Sequence, residues 1–182
     1  MSRAYKFRDQ SLPYFVSFAT VNWIDLFTRK ELCEILIDSI KYCQKEKGLV
    51  VYAWCIMPSH VHMIIGTSNK PMQDIMRDFK SYTSKKLREE IKELSIESRR
   101  EWLLWMFERA GRKNGNNNEW QLWQQHNQPI ELATNIMLEQ RLDYLHNNPV
   151  IAGYVDNARE WRWSSARDYE GEKGSLDVYL MC

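Results

Sequence analysis

Hydrophobic positions recur along this chain in two periods, and the switches between them mark out its elements. "YFVSFATV" (14–21) is aromatic and β-branched and reads as a strand. "RKELCEILIDSIKYCQKEKG" (29–48) sets Leu32, Ile35, Leu36, Ile40 and Cys43 at helical spacing and ends at Gly48, a helix stop. "LVVYAWCIM" (49–57) reads as a strand, Pro58 and Ser59 as a turn, and "HVHMIIG" (60–66) as a second strand ended by Gly66. "MQDIMRDFKSYTSKKLREEI" (72–91) is predicted helical, with Ile75, Met76, Phe79, Tyr82 and Leu87 on its apolar side. Further on, "SRREWLLWMFERAG" (98–111) suggests a short helix and "RKNGNNN" (112–118) a loop expected to be mobile. "EWQLWQQ" (119–125) alternates like a strand, and "PIELATNIMLEQRLDYLHNN" (129–148) reads as a helix that begins at Pro129 and is stopped by Pro149.

Setting the short helix at 98–111 aside, the order is β-α-β-β-α-β-α. Its first six elements fit a ferredoxin-like α+β fold, an antiparallel sheet with helices on one face, to which a C-terminal helix is added. No internal repeat is visible, and residues 1–182 are expected to form one domain. That architecture hosts many functions and names none.

Two histidines interrupt the second strand of the middle pair. Successive strand residues point to opposite faces, so His60 and His62 share one face while Val61 and Met63 point the other way. With helices over Val61 and Met63, the imidazoles look onto the open face. Two same-face imidazoles can clamp one divalent ion. The same pattern is also met as two half-exposed histidines with no ligand role. A histidine-triad nucleotide hydrolase would carry a third histidine at position 64, where this chain has Ile64. The remaining histidines are His126 and His146. On the last helix Tyr144 and Asn148 stand four apart and so share a face, although Pro149 disfavours helical geometry at Asn148. An Asn can lend a carbonyl oxygen to a metal. Taken alone, Tyr144 also fits a packed helix tyrosine.

Composition narrows the setting without deciding the chemistry. A formal charge of +1 does not announce a nucleic-acid partner, so any basic surface must be local. Lys and Arg are dense between Arg77 and Lys113, with acids interleaved as on a solvated helix face. Lys80, Lys85, Lys86 and Arg88 are candidates for phosphate contacts. Trp120, Trp123, Trp161 and Trp163 are candidates for stacking on unpaired bases, with Arg162 beside the last pair, although a core is the commoner place for each tryptophan. Four cysteines lack CxxC spacing, and Cys55 in its apolar run reads as a buried thiol. The polar opening "MSRAYKFRDQ" is unlike a secretory signal, and no apolar run nears the roughly 20 residues of a membrane span. The expected setting is a reducing cytoplasm.

These residues carry a resemblance to a family. "MPSHVHMII" resembles the HUH motif, His-hydrophobic-His, of single-strand DNA transposases with one catalytic tyrosine. "LDYLHNNPVIAGYV" resembles their tyrosine motif and, with "WRWSSARDYEG", is similar to the REP-associated tyrosine transposase group. "YFVSFAT" and "FKSYTSKKL" sit where that family has an opening strand and a helix, so the resemblance runs from about residue 12 to 171. It implies His60, His62 and Asn148 as metal ligands, Tyr144 as nucleophile, and magnesium or manganese as the ion. It further implies metal-dependent cleavage and rejoining of single-stranded DNA through a 5′-phosphotyrosine, beside a hairpin. The segment 93–118 has no clear counterpart in the pattern. The resemblance is compatible with a homodimer, since such enzymes differ in whether the tyrosine serves its own subunit. Two alternatives stay open: a non-catalytic binder of hairpin or single-stranded DNA that keeps the fold, and a structural metal-binding domain.

Overall fold

A computed structural model describes residues 7–115, 119–125 and 127–181. Its centre is a four-stranded antiparallel sheet in the order β2-β3-β1-β4, made of β1 (Tyr14–Ala19), β2 (Leu49–Ile56), β3 (His60–Thr67) and β4 (Ile130–Glu131). The helix α1 (Lys30–Lys47) carries the chain from β1 over β3 to β2, the crossover of a ferredoxin-like sheet. Gly48 closes α1 in the left-handed region, at φ 74°, which a residue with a Cβ adopts only with strain. α2 (Met72–Glu93) and α3 (Arg100–Arg112) follow β3. Among the described residues no helix is long and apolar enough to cross a membrane.

The pleat sorts the sheet into two layers. Val16 and Phe18 of β1, Trp54 and Ile56 of β2, and Val61 and Met63 of β3 pack with α1, α2 and α3 in the larger core. Phe15, Ala53, Cys55 and Ile64 point to the other face and pack with Leu145 of α4 (Asn135–Ile151). The added helix therefore lies across the sheet from the other three, and the face expected to be open is largely closed. Cys55 is a buried free thiol, as its apolar surroundings implied.

Two elements differ from the sequence reading. Residues 119–125 are not a strand: only Trp123 bridges, opposite Thr20. Leu122 and Trp123 are neighbours and both buried, so the pair does not alternate between faces. Trp123 wedges its ring between Phe18 and Phe27, and its Nε1 donates to Thr83 Oγ1 at 3.0 Å. The fourth strand is instead Ile130–Glu131, paired with Phe15 and Tyr14 and lying inside the expected helix. Helix α4 starts only after Thr134, whose side chain accepts a hydrogen bond from the Met137 N–H as an N-cap. Nor does α4 stop at Pro149. The proline sits in its last turn, and the Ala152 N–H still donates to the Asn148 carbonyl. α3 runs one residue past Gly111. The loop expected at 112–118 falls partly outside the described residues, as does His126.

One polar knot ties the α2–α3 connection to the loop after β1. The buried Glu97 carboxylate accepts from the Arg99 N–H and guanidinium and from Arg29 Nε. Arg99 also donates to the Asp25 carbonyl and to Thr28 Oγ1, and Arg29 donates to the Ile96 carbonyl. The hydrogen bonds from Arg99, with those from Arg29, hold the Glu97 carboxyl down to about 2 against its burial. A lowered carboxyl pKa stabilises the fold fully above the unfolded value, here 4.5, and that contribution fades as pH falls toward about 2. Glu97→Gln should therefore cost about 2 kcal/mol at pH 7. Urea unfolding at pH 7 and pH 3 should show the gap between variant and parent shrinking at the lower pH.

Candidate active site

β3 delivers His60 and His62 to the α4 side of the sheet, opposite Ala19 and Ser17 of β1. Their ring centroids are 4.7 Å apart. Phe15 stacks on His62 at 5.4 Å, and the Tyr144 ring meets His62 edge-on at 5.3 Å. Phe15 also meets Tyr144 edge-on, so one ring props both. Asn148, one turn beyond Tyr144, places its Nδ2 3.3 Å from His62 Nε2. His60 turns Nδ1 to Ser59 Oγ at 3.2 Å and meets the Trp23 ring at 5.3 Å. The four residues singled out from sequence, His60, His62, Tyr144 and Asn148, thus come together from two distant elements.

Burial sets the charge state. His62 is 4 % exposed, and desolvation, reinforced by His60 and Arg141, pushes its pKa down to about 3. Burial also lowers His60, against opposing pulls from Asn148 and Asp25. Both rings are neutral at pH 7 and keep a lone pair for a ligand. An amide nitrogen can only donate, so in this orientation of Asn148 His62 Nε2 is the acceptor, which assigns the His62 proton to Nδ1, a buried atom with no hydrogen-bond partner among the described residues. Turning the Asn148 amide over would present its oxygen instead. Two imidazole nitrogens and an amide oxygen make a donor set that fits a divalent cation and adds no negative charge to it. Among the described residues no three His, Cys, Asp or Glu side chains gather as a metal cluster, at this site or elsewhere.

α4 is held by the segment after it. Leu145 is fully buried against β2 and β3, while Tyr144 beside it is 42 % exposed. His146 turns away from Tyr144, and its Nε2 lies 2.9 Å from Ser165 Oγ. Burial pushes His146 down to about 4. Ser165 Oγ also accepts from the Trp54 N–H, Trp161 Nε1 donates to the Ile56 carbonyl, and the Ile56 N–H donates to the Trp163 carbonyl. "WRWSSARDY" is therefore a strap that fastens α4 to the edge of β2.

The basic and aromatic candidates scatter. Lys80, Lys85, Lys86 and Arg88 lie on α2, across the sheet from the histidines. Lys80 donates to the Gln124 carbonyl and Asn127 Oδ1, and burial lowers it to about 8. Lys86 pairs with Glu89, and Arg88 pairs with Glu108 while lying over Trp120. Lys85 is exposed. Trp161 is half-buried in the strap, and Arg162 is exposed over the Trp163 ring. Two residues at the site escaped the sequence reading. Arg141, one turn before Tyr144 on the same helix face, lies 5.2 Å over the Phe15 ring and makes no ion pair among the described residues. Its spacing from Tyr144 was a usable signal. Trp23 lies in a non-periodic turn and gave none.

A family model described as "Transposase IS200 like" matches residues 11–106, which hold β1 through the first half of α3 and both histidines but not Tyr144. No curated protein sequence matches the chain. Among solved structures, a REP-associated tyrosine transposase bound to a REP hairpin shares the fold at a TM-score of 0.66 and 16% identity, covering 100% of this chain and 95% of that one. A putative transposase from Deinococcus radiodurans R1 aligns at a TM-score of 0.45 and 18% identity, over 81% of this chain and 95% of that one.

The strap makes a prediction of its own. Ser165→Ala removes the acceptor of a buried N–H and the partner of His146, and should cost about 2 kcal/mol in urea unfolding. A change under about 0.5 kcal/mol would mean that water replaces the hydroxyl.

Proposed function

The chain belongs to the IS200-like transposase family, and from that premise we propose that it cuts and rejoins single-stranded DNA beside a hairpin, with Tyr144 as nucleophile. The observation that carries this reading is the meeting of His62 with Tyr144 and Asn148, the last 86 residues away in sequence. What favours chemistry over packing is that a 42 % exposed phenol stands beside a neutral imidazole with an amide one turn on. The likeness in fold to a transposase bound to a REP hairpin supports a hairpin as the substrate form.

In this reading the Tyr144 oxygen bonds to the scissile phosphorus and gives up its proton. The bond from phosphorus to the 3′ oxygen breaks, and that oxygen leaves as a hydroxyl. The 5′ phosphate stays on the tyrosine as a diester, so an incoming 3′-hydroxyl can reverse the step and rejoin the strands without ATP. Phe15 holds the Tyr144 ring edge-on, and Leu145 and His146 fix the helix beneath it. His60, His62 and Asn148 would hold a divalent ion, magnesium or manganese by family resemblance. Bound there, such an ion supplies charge withdrawal from the phosphate and its alignment for in-line attack. Arg141, on the same helix face and without an ion pair among the described residues, would meet a non-bridging phosphate oxygen. Lys85, Lys86 and Arg162 are exposed enough to meet more distant phosphates.

Incubation with a labelled hairpin bearing a single-stranded flank and Mn²⁺, run on a denaturing gel, should yield a covalent protein–DNA band. Tyr144→Phe should abolish that band and change binding little, while Tyr82→Phe, across the sheet on α2, should keep it. An adduct surviving in Tyr144→Phe overturns the assignment, and no adduct in the parent protein favours a binding protein. The metal assignment is tested separately. His62→Ala should weaken Mn²⁺ binding in calorimetry by more than about ten-fold with folding intact, and equal affinities would remove His62 from the ligand set.

A further inference from the structure

Trp23 stands where no core needs it. It follows β1 in a short turn, with the buried Val21 and Ile24 on either side, yet its own ring is 58 % exposed. Asn22 and Trp23 both adopt left-handed backbone, at φ 56° and 53°. That conformation is unfavourable for a residue with a Cβ, and most of all for a bulky one. The turn is nonetheless firmly held. Thr20 Oγ1 donates to the Ile24 carbonyl, the Trp23 N–H donates to the Thr20 carbonyl, and Arg99 grips the Asp25 carbonyl just beyond. Backbone strain is thus spent on presenting an indole to solvent, edge-on to His60.

On its far side Trp23 forms a wall of an open groove of about 730 Å³ between this turn, the end of α3 and residues 121–124. Arg109 and Lys113 line the groove and no carboxylate does. Both cations are exposed. Asn22, Asn114, Gln121 and Gln124 complete the lining; Asn114 Nδ2 donates to Gln121 Oε1, Gln121 Nε2 to the Trp123 carbonyl and Gln124 Nε2 to the Thr20 carbonyl, so these amides brace the wall. In a chain of net charge +1, a groove with two exposed cations, no acid among its described residues and a wall, Trp23, that also meets His60 is complementary to an unpaired, negatively charged strand.

We propose that this groove is a subsite for unpaired nucleotides of the substrate strand, with one base stacked on Trp23 and the adjoining phosphates met by Arg109 and Lys113. The proposal rests on the strand-transfer reading of the His60–His62 site and adds the path of the single-stranded flank. It also explains the exposed ring: Trp23 belongs to both the groove and the surroundings of His60, so a base stacked there leads the backbone toward Tyr144.

The probe is a DNA hairpin with a short oligothymidylate flank carrying one 2-aminopurine, made with the flank on either the 5′ or the 3′ side, and a blunt hairpin as control. All binding is read in the Tyr144→Phe background, so that no adduct forms. One of the two flanked probes should lose 2-aminopurine fluorescence on binding. Trp23→Ala should remove that quench and weaken the flanked hairpin about ten-fold, leaving the blunt hairpin unchanged, and Trp23→Phe should restore most of both. The exposed pair Arg109→Gln with Lys113→Gln should flatten the salt dependence for the flanked probe alone, a readout that stands even if Trp23→Ala folds poorly. Flank binding that ignores both sets of changes, equal losses on flanked and blunt hairpins, or no preference for a flank in the Tyr144→Phe protein would overturn the subsite. The adduct assay on the parent protein separates the two ideas: adduct without Trp23 dependence sinks the groove alone, and Trp23-dependent binding without adduct sinks the chemistry alone.

Discussion

The register of β3 between β1 and β2 is the constraint on which the rest depends. Val61 pairs across from Phe18 and Ile56, and His62 from Ser17 and Cys55, so each strand assigns its neighbours to the same two layers. A slip of one residue would drive both imidazoles into the larger core and turn Val61 and Met63 outward. Burying two histidines among aliphatic side chains, and losing the contacts of two apolar ones, makes that alternative far less stable. The packing that forms the core is therefore the same packing that aims the histidines. No loop has to be placed to bring His60 beside His62.

A second requirement is to hold a helix over a face that also carries the chemistry. α4 lays an apolar stripe on that face, and His62 and Tyr144 share the interface with it around Phe15. Leu145 and Pro149 are buried, Met137, Leu138 and Leu142 pack partly buried against the same cluster, and the strap adds polar hold through His146, Ser165 and the tryptophans bonded to β2. Polar fastening of this kind fixes direction better than apolar packing, since each bond has one geometry. It leaves the Tyr144 edge facing solvent while its neighbour in sequence is sealed.

The parts of the fold legible in sequence are those whose signal is local. α1, β2, β3 and α2 each carry their own period and their own stop, as at Gly48, and their expected bounds fall close to the observed ones. β4 is two residues long, too short for any period, and it precedes a helix whose real start is the cap at Thr134 rather than Pro129. Residues 119–125 misled because Trp123 owes its burial to Phe18, Phe27 and Thr83, which are distant in sequence. The histidines, Tyr144 and Asn148 could be named from spacing within one strand and one helix. Their meeting was implied by the family resemblance alone, since nothing local says that α4 crosses to the second face. Trp23 was invisible for a related reason: its meaning lies in a strained turn and in what stands beside it.

Charge completes the picture. In the proposed reading, a site built from carboxylates would hold a divalent ion strongly but would repel a phosphate and would spend the ion's charge on the protein. Here the ring nitrogens are neutral because burial keeps them so, and the amide carries no charge. Arg141 then adds a cation held by an aromatic ring rather than by an acid. A balanced chain of net +1 can in this way present a locally positive site without a basic surface overall. For a protein proposed to act on single strands, that distribution has a use. Weak general attraction to duplex leaves discrimination to contacts that only an unpaired strand can make.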